Sequence, residues 1–183
     1  MPNFVDGESA LRPYVDDLVT RYHQDLAEHA VTIGCLFAMS PRDEEGHPTG
    51  PALKHGGYPA LGLMRIVSQR DRVAGLPDAQ LIIDGERWPE LAEPEREALV
   101  DHELYHLIVR TEGGIRGGVV KTDDCGRPKL KMRLHDVQLG GFTAIIERHK
   151  EHATEAKVFE VASREWRQLL LWPEELKPLK MAQ

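Results

Sequence analysis

L-V-D-H-E-L-Y-H-L-I-V-R, Leu99 to Arg110, is the stretch on which the reading of this chain turns, because it holds His102, Glu103 and His106 in the order H-E-x-x-H. Residues four apart on an α-helix lie one above the other, so both imidazoles can reach one ion. Glu103 beside them is placed to take a proton from an activated water. Leu99, Val100, Leu104, Tyr105, Leu107 and Ile108 are uncharged, as a helix buried beside a metal requires. Pro94 suits the first turn and Gly113-Gly114 the stop, which predicts a helix of about four turns. Val100, Leu104, Leu107 and Ile108 form a stripe next to the histidines, so one flank packs on a sheet and the other faces a cleft. The competing reading is a surface helix with two unconnected histidines.

At 183 residues and 41% apolar content, the chain can bury a core without disulfides or metal staples, so a zinc ion would be catalytic before it was structural. Thirty acidic against 23 basic residues give a net charge of -7, which weighs against nucleic acid as the main partner. Of the two cysteines, Cys35 lies in an apolar run and reads as core, and neither belongs to a C-x-x-C pair. With no leader-like or membrane-length apolar segment, the expectation is a soluble protein of a reducing cytoplasm.

Outward from the motif, Leu11 to Glu28 reads as a helix on the spacing of Leu11, Tyr14, Val15, Leu18, Tyr22 and Leu26. Val31 to Ala38 reads as a buried strand. Ser40 to Pro59, with His47 and His55, reads as a long loop that is either a functional rim or a mobile lid. His55 in K-H-G-G-Y reads as solvated, contact with substrate or metal being the alternative. Leu61 to Val67 reads as a strand, with a helix turn at Leu-Gly-Leu-Met as the alternative, and Leu81 to Asp84 follows as a clearer short strand, with Trp88 as an anchor for the next helix. Beyond the motif, Val119 to Thr122 and Pro128 to Leu134 read as two strands joined at D-D-C-G. There Leu130, Met132 and Leu134 alternate with Lys129, Lys131 and Arg133, a basic stripe that reads as a solvated face. Helices are expected within His135 to His149 and over about Thr154 to Leu171, with no internal repeat. The expected fold class is α+β, a single domain over 1–183: a small mixed or antiparallel sheet packed on the H-E-x-x-H helix, with flanking helices.

A catalytic zinc needs a third protein ligand. The extended motif H-E-x-x-H-x-x-G-x-x-H is absent, since Val109 and Glu112 stand where its Gly and His would be. His135 is the first candidate because a strand-to-helix junction could return its imidazole to His102 and His106. Asp136 follows, as ligand or as a carboxylate orienting a histidine, and His149 is third, with oxyanion stabilisation as its alternative role.

Three stretches resemble the phage metallopeptidases, a zincin-like family: D-R-V-A-G-L-P-D-A-Q-L-I-I-D-G-E-R-W (Asp71–Trp88), R-E-A-L-V-D-H-E-L-Y-H-L (Arg96–Leu107) and R-P-K-L-K-M-R-L-H-D-V-Q-L-G-G-F (Arg127–Phe142). The likeness runs from about Pro51 to about Glu155. It implies zinc at His102 and His106, Glu103 as general base, the His135-Asp136 pair near the metal, and a protein or peptide substrate. It supplies no particular substrate. Two other readings remain at this level: a catalytically silent zincin scaffold with a binding or regulatory role, and a SprT-like protease acting on DNA-associated proteins.

Overall fold

The computed structural model describes residues 3–113, 118–135, 141–154 and 156–157. Asp136 and nearly all of the helix expected over Thr154 to Leu171 lie outside the described residues.

The centre is a four-stranded mixed sheet in the order β1 (Asn3–Asp6), β2 (Ile33–Met39), β6 (Ala79–Asp84), β5 (Gly62–Ile66). β2 and β6 run parallel, and the outer strands are antiparallel to their neighbours. In cross-strand register, Cys35, Leu81 and Met64 fall on one face, while Leu36, Ile82 and Leu63 fall on the other. The first face is covered by α1 (Glu8–Tyr22) and α4 (Glu93–Tyr105), whose Leu11, Val15, Leu18, Leu99, Val100 and Leu104 join Cys35, Leu81 and Ile83 in the main core. Trp88 anchors this layer, edge-on to Tyr14 at 5.4 Å and with the Arg96 guanidinium over its ring.

Several expectations change. The N-terminal helix is two: α1 stops at Tyr22, and α2 (Gln24–Glu28) follows a bend at His23, where a buried polar contact fixes the chain. The stretch 40–59 is not an open loop, for Ala52 and Leu53 are buried against Ala38 and Ile82 on the second face of the sheet. Its last residues form the hairpin of β3 (Lys54–His55) and β4 (Tyr58–Pro59).

The metal-motif helix also ends early, at Tyr105 rather than near Gly113. Leu107–Val109 is instead strand β7, paired antiparallel with β10 (Leu130–Met132). A run of Leu, Ile and Val with Leu130 and Met132 opposite Val109 and Leu107 gains more from cross-strand packing than from another helical turn. Short β8 (Thr111–Glu112) and β9 (Val119–Val120) complete this arm, and α3 (Gln69–Val73) and α5 (Thr143–His149) are further helices.

A local repeat also emerges. R-D-E-E-G-H-P over 42–48 and T-D-D-C-G-R-P over 122–128 make the same turn. In each, the aspartate Oδ1 accepts the backbone N–H four residues on, from His47 to Asp43 at 2.7 Å and from Arg127 to Asp123 at 3.0 Å. Gly46 and Gly126 supply the positive φ the turn demands.

Candidate metal centre

The centre is assembled where α4 ends and the chain beyond β10 returns. His102 and Glu103 lie on the last turn of α4, and His106 caps it. Arg133 then clamps that helix end three ways. Its backbone N–H donates to the His106 carbonyl (2.6 Å), its Nε–H donates to the Tyr105 carbonyl (2.9 Å), and its own carbonyl accepts from His106 Nδ1 (2.9 Å). The guanidinium lies over the Tyr105 ring at 4.1 Å, a cation placed at a helix C-terminus. Two residues beyond this clamp, His135 is delivered to the pair on α4.

The ligating atoms of His102, His106 and His135 all lie within 4.8 Å of one another. His135 Nε2 and His102 Nε2 are 3.2 Å apart. Two nitrogens each about 2.0–2.1 Å from one ion at a tetrahedral angle would be about 3.3 Å apart, so this spacing fits zinc coordination. The donor set fits as well: three borderline nitrogen ligands suit zinc or another late divalent metal and do not suit magnesium or calcium. With Nδ1–H committed to the Arg133 carbonyl, His106 presents Nε2 as a lone pair. Burial lowers its pKa to about 4, opposed by that hydrogen bond, so the ring is neutral and ready to ligate at ordinary pH.

Beneath the three imidazoles lies Phe142, fully buried, with ring centroids 5.1, 4.8 and 4.8 Å from those of His102, His106 and His135. It forms an apolar floor that limits how far each imidazole can turn. Phe142 closes the third of the family-like stretches, and that was its only mark in the sequence.

Glu103 is buried on the same turn, against strand β5. A Cβ on Gly62 would stand 2.6 Å from Glu103 Oε1, so only glycine lets the strand come this close to the carboxylate. Both line a cleft of about 570 Å³ together with His102, His106, His135, Leu61, Leu63, Leu99, Met132, Leu134 and His55. His55 therefore stands at the cleft on its hairpin, whereas His47 is solvent-exposed on a turn near Asp43.

His149 is not with the triad. Its Nε2 is bound to Asp101 Oδ2 at 2.7 Å, in a buried cluster that also holds His23 (2.6 Å) and Arg148 (3.0 Å). The signal that could have found this is Asp101 itself, a carboxylate inside the apolar run of a buried helix, which must gather donors.

A triad of two half-buried histidines and the exposed His135, with a buried carboxylate beside it at an apolar cleft, defines a candidate metal centre of hydrolytic type. The family model described as "Putative phage metallopeptidase" matches residues 3–170, and the chain belongs to that family. No curated protein and no solved structure matches the chain. No helix among the described residues is long and apolar enough to cross a membrane.

Proposed function

We propose that this protein is a zinc-dependent peptidase of zincin type, in which His102, His106 and His135 hold the ion and Glu103 is the general base. The observation that carries the reading is the meeting of His135 with the H-E-x-x-H pair, all three ligand atoms within 4.8 Å of one another and His135 3.2 Å from His102, next to a buried carboxylate. Bound there, zinc would supply Lewis acidity, polarising a scissile carbonyl and acidifying water. Glu103 takes the proton from the attacking water and returns it to the leaving amine. Packing against Gly62 holds the carboxylate at the cleft wall for both transfers. Phe142 and Leu99 exclude bulk water from beneath the reacting groups.

Strand β5 supports a polypeptide substrate. Asp84 N–H bonds to the Leu61 carbonyl and Val67 N–H to the Asp78 carbonyl, at the two ends of the β5–β6 ladder. Alternation between those ends gives Leu63 and Arg65 to β6 as well, and turns the backbone groups of Gly62, Met64 and Ile66 to the outer edge. β5 is the last strand of the sheet. An extended peptide laid along it would gain main-chain hydrogen bonds within reach of Glu103. Two free cysteines fit a reducing compartment such as a host cytoplasm.

The test uses untagged protein reconstituted with zinc and an unfolded protein such as casein. Wild type should hold one zinc per chain and cleave. Glu103→Gln should keep the metal and lose about two to four orders of magnitude in rate, and His135→Ala should lose the metal. Equal cleavage by Glu103→Gln and wild type would remove Glu103 from the mechanism. Absence of bound zinc in reconstituted wild type would remove the metal centre.

A further inference from the structure

Beside the cleft, the small β-arm gathers positive charge that the carboxylates among the described residues neutralise only in part. Arg110, at the end of β7, donates its backbone N–H to the Lys129 carbonyl (2.9 Å). Lys121 N–H donates to the Arg110 carbonyl (2.8 Å), and Lys129 N–H to the Lys121 carbonyl (2.8 Å). Three backbone hydrogen bonds thus close a triangle whose corners are all cationic residues, and Lys131 follows two residues after Lys129. Arg110, Lys129 and Lys131 are exposed, and Lys121 is half-buried.

Of the nearby carboxylates, one engages a single corner of the triangle and two bind outside it. Glu112 binds Lys121 Nζ at 2.9 Å, and its carboxyl is held below the usual range by that bond and by the proximity of Lys121 and Lys129. In the turn joining β9 to β10, Asp123 is bound to the buried Arg72, and Asp124 accepts from Gln69. Among the described residues, Arg110, Lys129 and Lys131 form no ion pair. Like charges brought together on neighbouring strands destabilise a sheet, so folding alone gives no reason for this arrangement in a chain of net charge -7.

We propose that this cationic knot is a docking site for an acidic stretch of the polypeptide substrate, outside the segment that is cleaved. The inference rests on the peptidase reading and names the substrate class for it. The position argues for a polypeptide: Lys131 directly precedes Met132, Arg133, Leu134 and His135, which line the cleft, so chain seated there continues past the knot. Charge argues the same way. A long, uniformly charged nucleic-acid backbone would meet the acidic remainder of the surface, whereas a short acidic stretch need meet only the knot.

The test is fluorescence anisotropy with a short labelled Glu-rich peptide, its Gln-rich counterpart and a single-stranded oligonucleotide of matched charge. The proteins are the zinc-loaded full chain and its Arg110→Ser/Lys129→Ser/Lys131→Ser variant. The Glu-rich peptide should bind about tenfold more tightly than the Gln-rich one and weaken as salt rises through the physiological range. The triple variant should lose that preference while melting no lower than wild type, since repulsion is relieved. Lys131→Glu alone should weaken the binding further than Lys131→Ser alone, which keeps the test open should the triple variant fold poorly. Absence of Glu-rich binding at low salt, equal binding by wild type and variant, or tighter binding of the oligonucleotide would each overturn the proposal. Binding at the knot needs no hydrolysis. If casein stays intact but the charge-dependent binding holds, the peptidase reading fails alone, and if casein is cleaved without that binding, the knot fails alone.

Discussion

Asp78 and Asp101 are both buried carboxylates that gather cationic donors from distant segments, and they differ in what they gather. Asp78, at the foot of β6, accepts from Thr32 N–H and Oγ1 (both 2.8 Å) and pairs with Arg72 (3.0 Å) and Arg127 (2.9 Å). Arg72 also holds Asp123, so this network pins the lower end of the sheet, α3 and the turn before β10 to one another. Asp101, on α4 next to His102, accepts from His23 and His149 and pairs with Arg148. It ties the metal-site helix to the α1–α2 bend and to α5. Both carboxyls sit below the usual carboxylate range. In each, burial would raise the pKa, and the donors overcome it: Thr32 and the two arginines at Asp78, the two histidines and Arg148 at Asp101. Arg72 is only 6% exposed and cannot shed its charge when its partner is lost, whereas Arg148 is 24% exposed and can turn to water. The Asp78 network is therefore a fixed brace, and the Asp101 network is one that can partly relax.

The largest effect should come from breaking the fixed brace. Asp78→Ala leaves Arg72 buried with one carboxylate fewer and should cost about 3–5 kcal/mol in urea denaturation, without lowering zinc per folded chain. Asp101→Ala should cost less, about 1–3 kcal/mol, because Arg148 is partly exposed and can reach water once its partner is gone. It should nevertheless weaken zinc binding, since α4 loses its anchor one residue from His102. Equal destabilisation by the two variants would show that the Asp101 network is no freer to relax than the Asp78 network.

Acid titration sharpens the same contrast. Each carboxyl has a folded-state pKa below its unfolded value near 3.9, so its contribution is complete above that value and is lost as pH falls through the folded pKa. The stability gap between wild type and Asp101→Asn should therefore stay constant from neutral pH to about 5 and close only below about 4. A gap that narrowed already between about pH 7 and 5 would show that the Asp101 carboxylate is not the group that carries the linkage.

Neither network was legible in the sequence, and the reason is physical. H-E-x-x-H is a local pattern, set by the helical repeat, and the apolar runs of β2 and β6 are equally local, so the site helix and the two central strands could be read directly, whereas the exposed edge strand β1 left no such signal. His135 could be ranked first because the third ligand has to come from a returning chain. Asp101 reaches His23 and His149 across 78 and 48 residues, and Asp78 reaches Thr32 across 46, distances over which no periodicity carries information. The early end of α4 was missed for a related cause. Its stop signal is the clamp by Arg133, far along the chain, and not a glycine or proline next to the helix.

Arg133 itself gives a test of how the site depends on that clamp. Arg133→Ala removes the bond to the Tyr105 carbonyl and the stacking on its ring, and should cost about 1–2 kcal/mol. The backbone bonds between residue 133 and His106 survive the substitution, so zinc should still bind, about tenfold more weakly.

The smallest expected effect is kinetic, and it separates the two braces without any substitution at the metal site. Cys125 is exposed on its turn, and Cys35 lies in the core on β2, where burial pushes its thiol up to about 12. A thiol reagent should label Cys125 at once in every variant and Cys35 only when the sheet opens. Because Thr32, just before β2, is bonded to Asp78, Asp78→Ala should speed Cys35 labelling even at low denaturant. Asp101→Ala acts on the helical layer and should leave that rate nearer to wild type. Identical acceleration in both variants would mean that sheet and helices open as one unit, and that the two braces differ in chemistry but not in the part of the fold they hold.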